Sequence, residues 1–460
     1  MLRPPGFFRS VILLTLVALW ALTSAEPSAS QTPQQQYLDW AEPGHPAAVY
    51  AARRARLLNS LGNGVLLIPS HHGASDGTSF RQLDDFWYLT GLELPTSMLI
   101  LDADSDQAFL FVPERDAHFE SASRPNDFPG RALLADNKLW DRAGLKDVRS
   151  LQGLDGWITD GVSEERTFRV NAGSGDSARA PTSSLFHDWT AVEGLLDHLY
   201  RQWPSIRIES AYEPVARVRM IKGPEEIATI REVVRLTAEA IARAAGFIKP
   251  GVTERDLEAE LEAEYKRQGA QRLAFASIIK SGPNSLWPWR ILAAHYDRRN
   301  RSMTAGELVI FDVGTELDGY VSDVGRTFPV SGSFTPRQRE ILSMEAGVSE
   351  AILGAMKPGV TLLELMEVAR EATPDDQEPY MQAGLFFGHY LGLSTGDPAL
   401  YDIPLAPGMV ITVEPWYYNH DEGISVFTED VVLIVPGGIE VLSSSLPRDP
   451  ASLEQMVGRH

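Results

Sequence analysis

The sequence predicts a mixed α/β (α+β) fold in two parts, a small N-terminal α/β domain followed by a larger domain assembled from two related halves. Three observations predict it. Short apolar β runs alternate with helical segments through the first part of the chain. The pentapeptide Lys249-Pro-Gly-Val-Thr253 recurs as Lys357-Pro-Gly-Val-Thr361. Beyond each copy, a turn glycine leads into an apolar strand that reaches a carboxylate six residues later, Gly306 to Asp312 and Gly408 to Glu414.

In chain order, residues 1–25 read as an export signal. Arg3 and Arg9 stand without an acidic neighbour, Val11–Leu22 is apolar, and Thr23-Ser24-Ala25 offers small residues for cleavage. A run this short rarely spans a bilayer permanently. The expectation is therefore cleavage near Ala25, export to the periplasm or the extracellular medium, and no membrane span afterwards. A polar linker occupies 26–45, and the N-terminal domain takes 46–215. It opens with a helical Ala47–Leu61, a strand at Gly64–Pro69 and apolar runs at Met98–Leu101 and Ala108–Val112. The stretch from about Gly156 to Ser184, rich in Gly, Ser, Asp and Arg, reads as irregular connection. Helical pattern resumes over Leu185–Gln202, and the boundary is placed near Ser205–Arg219.

The second domain is assigned to 216–445, with a tail at 446–460. Pro224 opens a helix whose Ile227, Ile230, Val234, Ala238 and Ile241 share one face. Each copy of the pentapeptide starts a further helix with a capping pair, Thr253 with Asp256 and Thr361 with Glu364. A second acid follows in each half on a strand-like segment, Asp323 after Tyr320-Val321-Ser322 and Glu429 after Val426-Phe427-Thr428.

Composition narrows the function. With 460 residues and 44 % hydrophobic content the chain has length for a large core. A net charge of −21 argues against a nucleic-acid partner, because phosphates would be repelled. The absence of cysteine removes thiolate chemistry and any lipobox. What remains is oxygen and nitrogen chemistry. Four carboxylates gathered by the repeat would repel one another by several pKa units unless cations neutralised them. Together with His389, in Phe386-Phe387-Gly388-His389-Tyr390, they form a donor set suited to two hard or borderline divalent ions. Two such ions can share one activated water, which points to a hydrolase.

These segments resemble a known family. Asp312-Val-Gly, Ser322-Asp323-Val-Gly-Arg326-Thr-Phe-Pro329, Gly388-His389-Tyr-Leu-Gly-Leu393, Thr412-Val-Glu414-Pro415 and Thr428-Glu429-Asp430 are similar to the signatures of the pita-bread metallopeptidases. The resemblance implies a pseudo-two-fold pita-bread catalytic domain with a dinuclear site, Mn2+ first and Co2+ or Zn2+ as alternatives. Asp312 resembles a terminal ligand of one ion, His389 and Glu414 terminal ligands of the other, and Asp323 and Glu429 the bridging pair. Phe80-Arg81-Gln82, Asp85-Phe-Trp-Tyr-Leu-Thr-Gly91 and Leu110-Phe-Val-Pro-Glu-Arg115-Asp116 resemble the N-terminal domain of the family's Xaa-Pro aminopeptidase branch.

That branch implies hydrolysis of the first peptide bond of peptides with proline second. Glu414 would relay a proton, and His295 would hold the substrate. Homodimers or homotetramers are the assemblies it implies. Three positions depart from the pattern: Leu385 and Gly396 replace histidines, and Phe427 replaces an arginine. His420 is a candidate substitute for a lost imidazole, and Trp287 and Trp289 are candidates for a proline pocket. The departures leave two other readings open, a prolidase restricted to Xaa-Pro dipeptides and a weakly active or non-catalytic binding protein.

Overall fold

The computed structural model describes residues 44–72, 80–114, 137–173, 191–287, 300–381 and 388–459. The proposed signal, most of the linker, His295, Trp289 and Leu385 lie outside them. Helix α1 (Ala47–Leu61) opens the N-terminal region. It is followed by β1 (Val65–Pro69), α2 (Asp84–Thr90), β2 (Met98–Asp102) and β3 (Gln107–Val112). Then come α3 (Asn137–Arg142), β4 (Asp147–Ser150), α4 (Leu154–Ser163), β5 (Thr167–Val170), α5 (Ala191–Gln202) and β6 (Arg207–Ser210). The six strands form one mixed sheet in the order β4-β3-β2-β1-β5-β6.

This sheet is covered on both faces, which is why its central strands read as unbroken apolar runs. Leu66, Ile68, Leu99, Leu101, Leu110 and Val112 face the main core, whereas Val65, Leu67, Met98, Ile100, Phe109 and Phe111 face a second cluster under α4 and α5. The stretch expected to be irregular from Gly156 corrects the sequence reading, because α4 and β5 occupy its first half. Gly156 and Gly161 blur the helical pattern there, yet Gly161 serves packing. A Cβ at Gly161 would lie 2.8 Å from the Phe168 ring, so glycine lets α4 sit close on β5.

The second region begins with α6 (Tyr212–Met220), α7 (Pro224–Ala245) and α8 (Glu254–Arg267). Next come β7 (Arg272–Leu273), β8 (Ile278–Ser281), β9 (Leu308–Val313), β10 (Thr315–Leu317), β11 (Tyr320–Val321) and β12 (Val324–Pro329). The second half has α9 (Pro336–Ala355), α10 (Leu362–Ala372), β13 (Val410–Val413), β14 (Trp416–Asn419), β15 (Ile424–Phe427), β16 (Asp430–Val435) and β17 (Gly438–Val441). Among the described residues, each half thus has a pair of helices, α7 and α8 or α9 and α10, with a three-stranded antiparallel ladder and a hairpin. The ladders are β12-β9-β8 and β13-β16-β17, and the hairpins are β10-β11, to which β7 adds a third strand, and β14-β15.

The repeat is reproduced in matched turns and backbone bonds. Gly251 and Gly359 have φ of 91° and 94°, a left-handed conformation that glycine adopts without strain. Gly251 N donates to Met303 O and Met303 N to Val252 O; Gly359 N donates to Leu405 O and Leu405 N to Val360 O. Both expected capping boxes form, Thr253 with Asp256 and Thr361 with Glu364. Gly306 and Gly408, at φ of 87° and 93°, turn the chain into β9 and β13. The two ladders then meet where Gly325 and Glu429 exchange backbone hydrogen bonds of 3.3 and 3.0 Å.

A buried arginine locks that meeting point. Arg326 donates to Glu429 O at 2.6 Å, to Asp430 Oδ1 at 2.7 Å and to Leu446 O at 3.0 Å. The N-terminal region is joined to this domain by further buried polar contacts, among them Arg53 to the Tyr320 hydroxyl at 2.9 Å.

Candidate metal centre

Asp312 is carried near the end of β9, in register with Gly325 of β12 and Ile278 of β8. Asp323 sits in the step between β11 and β12, and Glu414 follows β13. Glu429 lies between β15 and β16, pinned by its exchange with Gly325. All four carboxylates are buried. His389 runs beside β13: its carbonyl accepts from Thr412 N at 2.9 Å, and its N–H donates to the Thr412 hydroxyl at 3.1 Å.

The ladders bring these side chains to one place. His389 Nε2 stands 3.4 Å from Asp323 Oδ2 and 3.2 Å from Glu414 Oε1. Ligand atoms of Asp323, His389 and Glu429 all lie within 4.8 Å of one another. Burial, then Asp323 and Asp312, drives the Glu414 carboxyl well above its usual range, against the opposing pull of the Thr412 hydroxyl. Burial, then Asp323, Glu414 and Asp312, does the same to Glu429. Each acid therefore disfavours ionisation of the next.

Hydrogen bonding leaves this charge unbalanced. Asp323 Oδ1 and both carboxylate oxygens of Glu429 are buried without a hydrogen-bond partner. Native interiors rarely leave such oxygens unmatched, so these three are aimed at something other than protein donors. Oxygen donors with one imidazole, in a cage of carboxylates, fit hard or borderline divalent ions.

Two residues of the site, Thr412 and Tyr418, have no role in the sequence reading. Thr412 donates its hydroxyl to Glu414 Oε1 at 2.7 Å while receiving the His389 N–H, so one side chain orients two donors. The signal was available, since residues i and i+2 of a strand share a face. The Tyr418 hydroxyl, raised by burial and then by Asp312 and Glu414, also belongs to this surround.

The departures from the family pattern have physical counterparts. Phe427 fills the arginine position by stacking on Trp416, ring centroids 3.9 Å apart. It also covers Gly325, where a Cβ would come within 2.1 Å of its ring. Gly396 is exposed, with nothing within 4 Å of an added Cβ. His420 sits at the tip of the β14–β15 hairpin, its ring 4.7 Å from that of the exposed Trp287.

The comparisons with known proteins agree with this architecture. Residues 228–436 match metallopeptidase family M24, and residues 50–121 match the aminopeptidase P N-terminal domain. The chain is 28 % identical to the Xaa-Pro aminopeptidase of Escherichia coli K12 over 93 % of its own length and 97 % of that protein. It is 29 % identical to Xaa-Pro aminopeptidase 3 of Mus musculus, covering 86 % of this chain and 80 % of that one. The structure of E. coli aminopeptidase P with the inhibitor Pro-Leu superposes with a TM-score of 0.73 at 26 % identity, covering 90 % of this chain and 98 % of the other.

Fold and site thus define a metallopeptidase, with the M24 domain in its pita-bread form. The aminopeptidase P N-terminal domain ahead of it narrows this to a metallo-aminopeptidase, a hydrolase. The M24 match implies divalent metal ions.

Proposed function

We propose that this chain is an exported Xaa-Pro aminopeptidase that holds two divalent cations, Mn2+ foremost, through Asp312, Asp323, His389, Glu414 and Glu429. The observation that carries the metal assignment is the set of three orphaned oxygens on Asp323 and Glu429 within the buried acid cluster. Similarity to proteins named Xaa-Pro aminopeptidase supports the substrate class.

When bound, the ions supply Lewis acidity and a nucleophile at neutral pH. Asp323 and Glu429 would bridge them, with Asp312 on one ion and His389 and Glu414 on the other. Thr412 fixes Glu414 Oε1, leaving the other oxygen of that carboxylate to take a proton and deliver it to the leaving proline nitrogen. His295 is assigned to hold the substrate. Proline gives a tertiary amide without an N–H, so a site shaped for it selects the second residue by shape. Export follows from the charge and apolar pattern of residues 1–25.

The test is metal analysis alongside peptide assays on protein lacking residues 1–25. The expected result is two ions per chain and release of the first residue from Xaa-Pro-Yaa peptides with Mn2+, both lost in Asp323→Ala. Activity confined to Xaa-Pro dipeptides would make the chain a prolidase. Stoichiometric metal with no hydrolysis of either substrate would make it a binding protein.

A further inference from the structure

We propose that Arg81, in the N-terminal domain, is a positioning residue that sets the spacing between Asp323 and His389. The inference rests on the assignment of those two residues as metal ligands. Asp312 and Glu414 stand on or beside ladder strands, and Glu429 is fixed by its exchange with Gly325. Asp323 instead occupies the step where the chain leaves one sheet for another. After His389 the chain follows β13 only as far as Leu391, and residues 392–397 belong to no strand.

The two segments touch through Val321 N, which donates to Gly392 O at 2.9 Å. Arg81 spans that junction. Its Nε donates to Glu316 Oε2 at 2.8 Å, on the strand paired with β11. Its Nη2 donates to Leu393 O at 2.6 Å, in the loop after His389. Its Nη1 is held by Asp84 Oδ1 at 2.8 Å, at the start of α2. A planar guanidinium with donors in fixed directions sets the distance between its partners, which a lysine ammonium cannot do.

The anchor behind it is buried and charged. Arg219 pairs with Asp85 at 2.7 Å, Asp397 at 2.5 Å and Asp84 at 3.4 Å. Lys222 reaches Asp397 at 3.1 Å, and Asp397 Oδ1 in turn accepts from Leu393 N at 3.1 Å. Gly392 is required here, since a Cβ would lie 2.4 Å from Asp397 Oδ2. Helix α2 also grips the other segment, because Trp87 packs so closely on Gly319 that a Cβ there would be 2.3 Å from Nε1. The N-terminal domain therefore holds both ligand-bearing segments that lie outside the ladders.

The test titrates metal-stripped protein with Mn2+ alone, by calorimetry and electron paramagnetic resonance. Arg81→Met is expected to lower Mn2+ affinity about 10- to 100-fold. It should also move the exchange-coupled signal of the ion pair toward that of isolated ions, a change that general loosening of the fold would not single out. Arg81→Lys should recover only part of both. Arg207→Met, which removes an exposed pair with Glu165, should change neither. Unchanged affinity and signal in folded Arg81→Met overturns the proposal. A wild-type chain that binds no Mn2+ overturns the metal centre itself, a distinguishable failure. If Arg81→Met does not fold, hydrogen exchange on the wild type decides. By reciprocity, Mn2+ loading must slow exchange in residues 81–91 as well as 391–397, and no change in 81–91 overturns the proposal.

Discussion

Glu414 and Thr412 illustrate how single side chains set this site. The Thr412 hydroxyl serves a carboxylate and the backbone of a histidine together, so its loss frees two donors while leaving the strand intact. Thr412→Val is expected to lower Mn2+ affinity about 10- to 100-fold with the fold retained, measured by calorimetry and circular dichroism. Glu345 makes a different prediction. Fully buried on α9, it accepts from the Thr428 hydroxyl at 2.7 Å, and burial pushes its carboxyl up to about 8 despite that bond. A carboxyl raised in the folded state binds more protons there than in the unfolded chain. Its stabilising contribution is present below the unfolded value and is lost as pH rises through about 8. Glu345→Gln should therefore flatten the decline in stability between pH 5 and 9 and make the protein more stable at pH 9, by urea unfolding.

Among the elements, the matched helix starts are legible in the sequence because capping is local. Thr361 N donates to Glu364 Oε2 and Thr361 Oγ1 accepts from Glu364 N, bonds within one turn that need no tertiary partner. Thr361→Ala should remove about 1 kcal/mol of stability, read from denaturant midpoints at constant slope. Where elements were misjudged, the cause was packing. Helix α4 was missed because Gly156 and Gly161 resemble loop residues, and only the Phe168 ring beside Gly161 explains the second of them. The same holds for Phe427, which the family pattern marks as a lost arginine and the structure shows as part of an aromatic stack with Trp416.

For the whole molecule, the acid cluster links stability to metal. Without cations, Glu414 and Glu429 are raised by burial and by one another's neighbours, so the metal-free fold loses stability as pH rises above the ordinary glutamate value of 4.5. Bound ions reverse the preference, since ligands must be deprotonated to bind. Removing metal with a chelator should lower the melting temperature more at pH 8 than at pH 5. Mn2+ at a hundred times its Kd should restore about 2.7 kcal/mol per site. Calorimetry at the two pH values checks both. Sequence alone sufficed for the two-part organisation, the repeat and the caps, and it named five candidate donors, because periodicity, turn glycines and matched spacing are properties of neighbouring residues. Only the tertiary structure decided that Asp323, His389 and Glu429 converge within 4.8 Å and that Arg81 ties an N-terminal segment to their loops. Those contacts join residues from 40 to 312 positions apart, and no local pattern encodes a distance that only the packed core can fix.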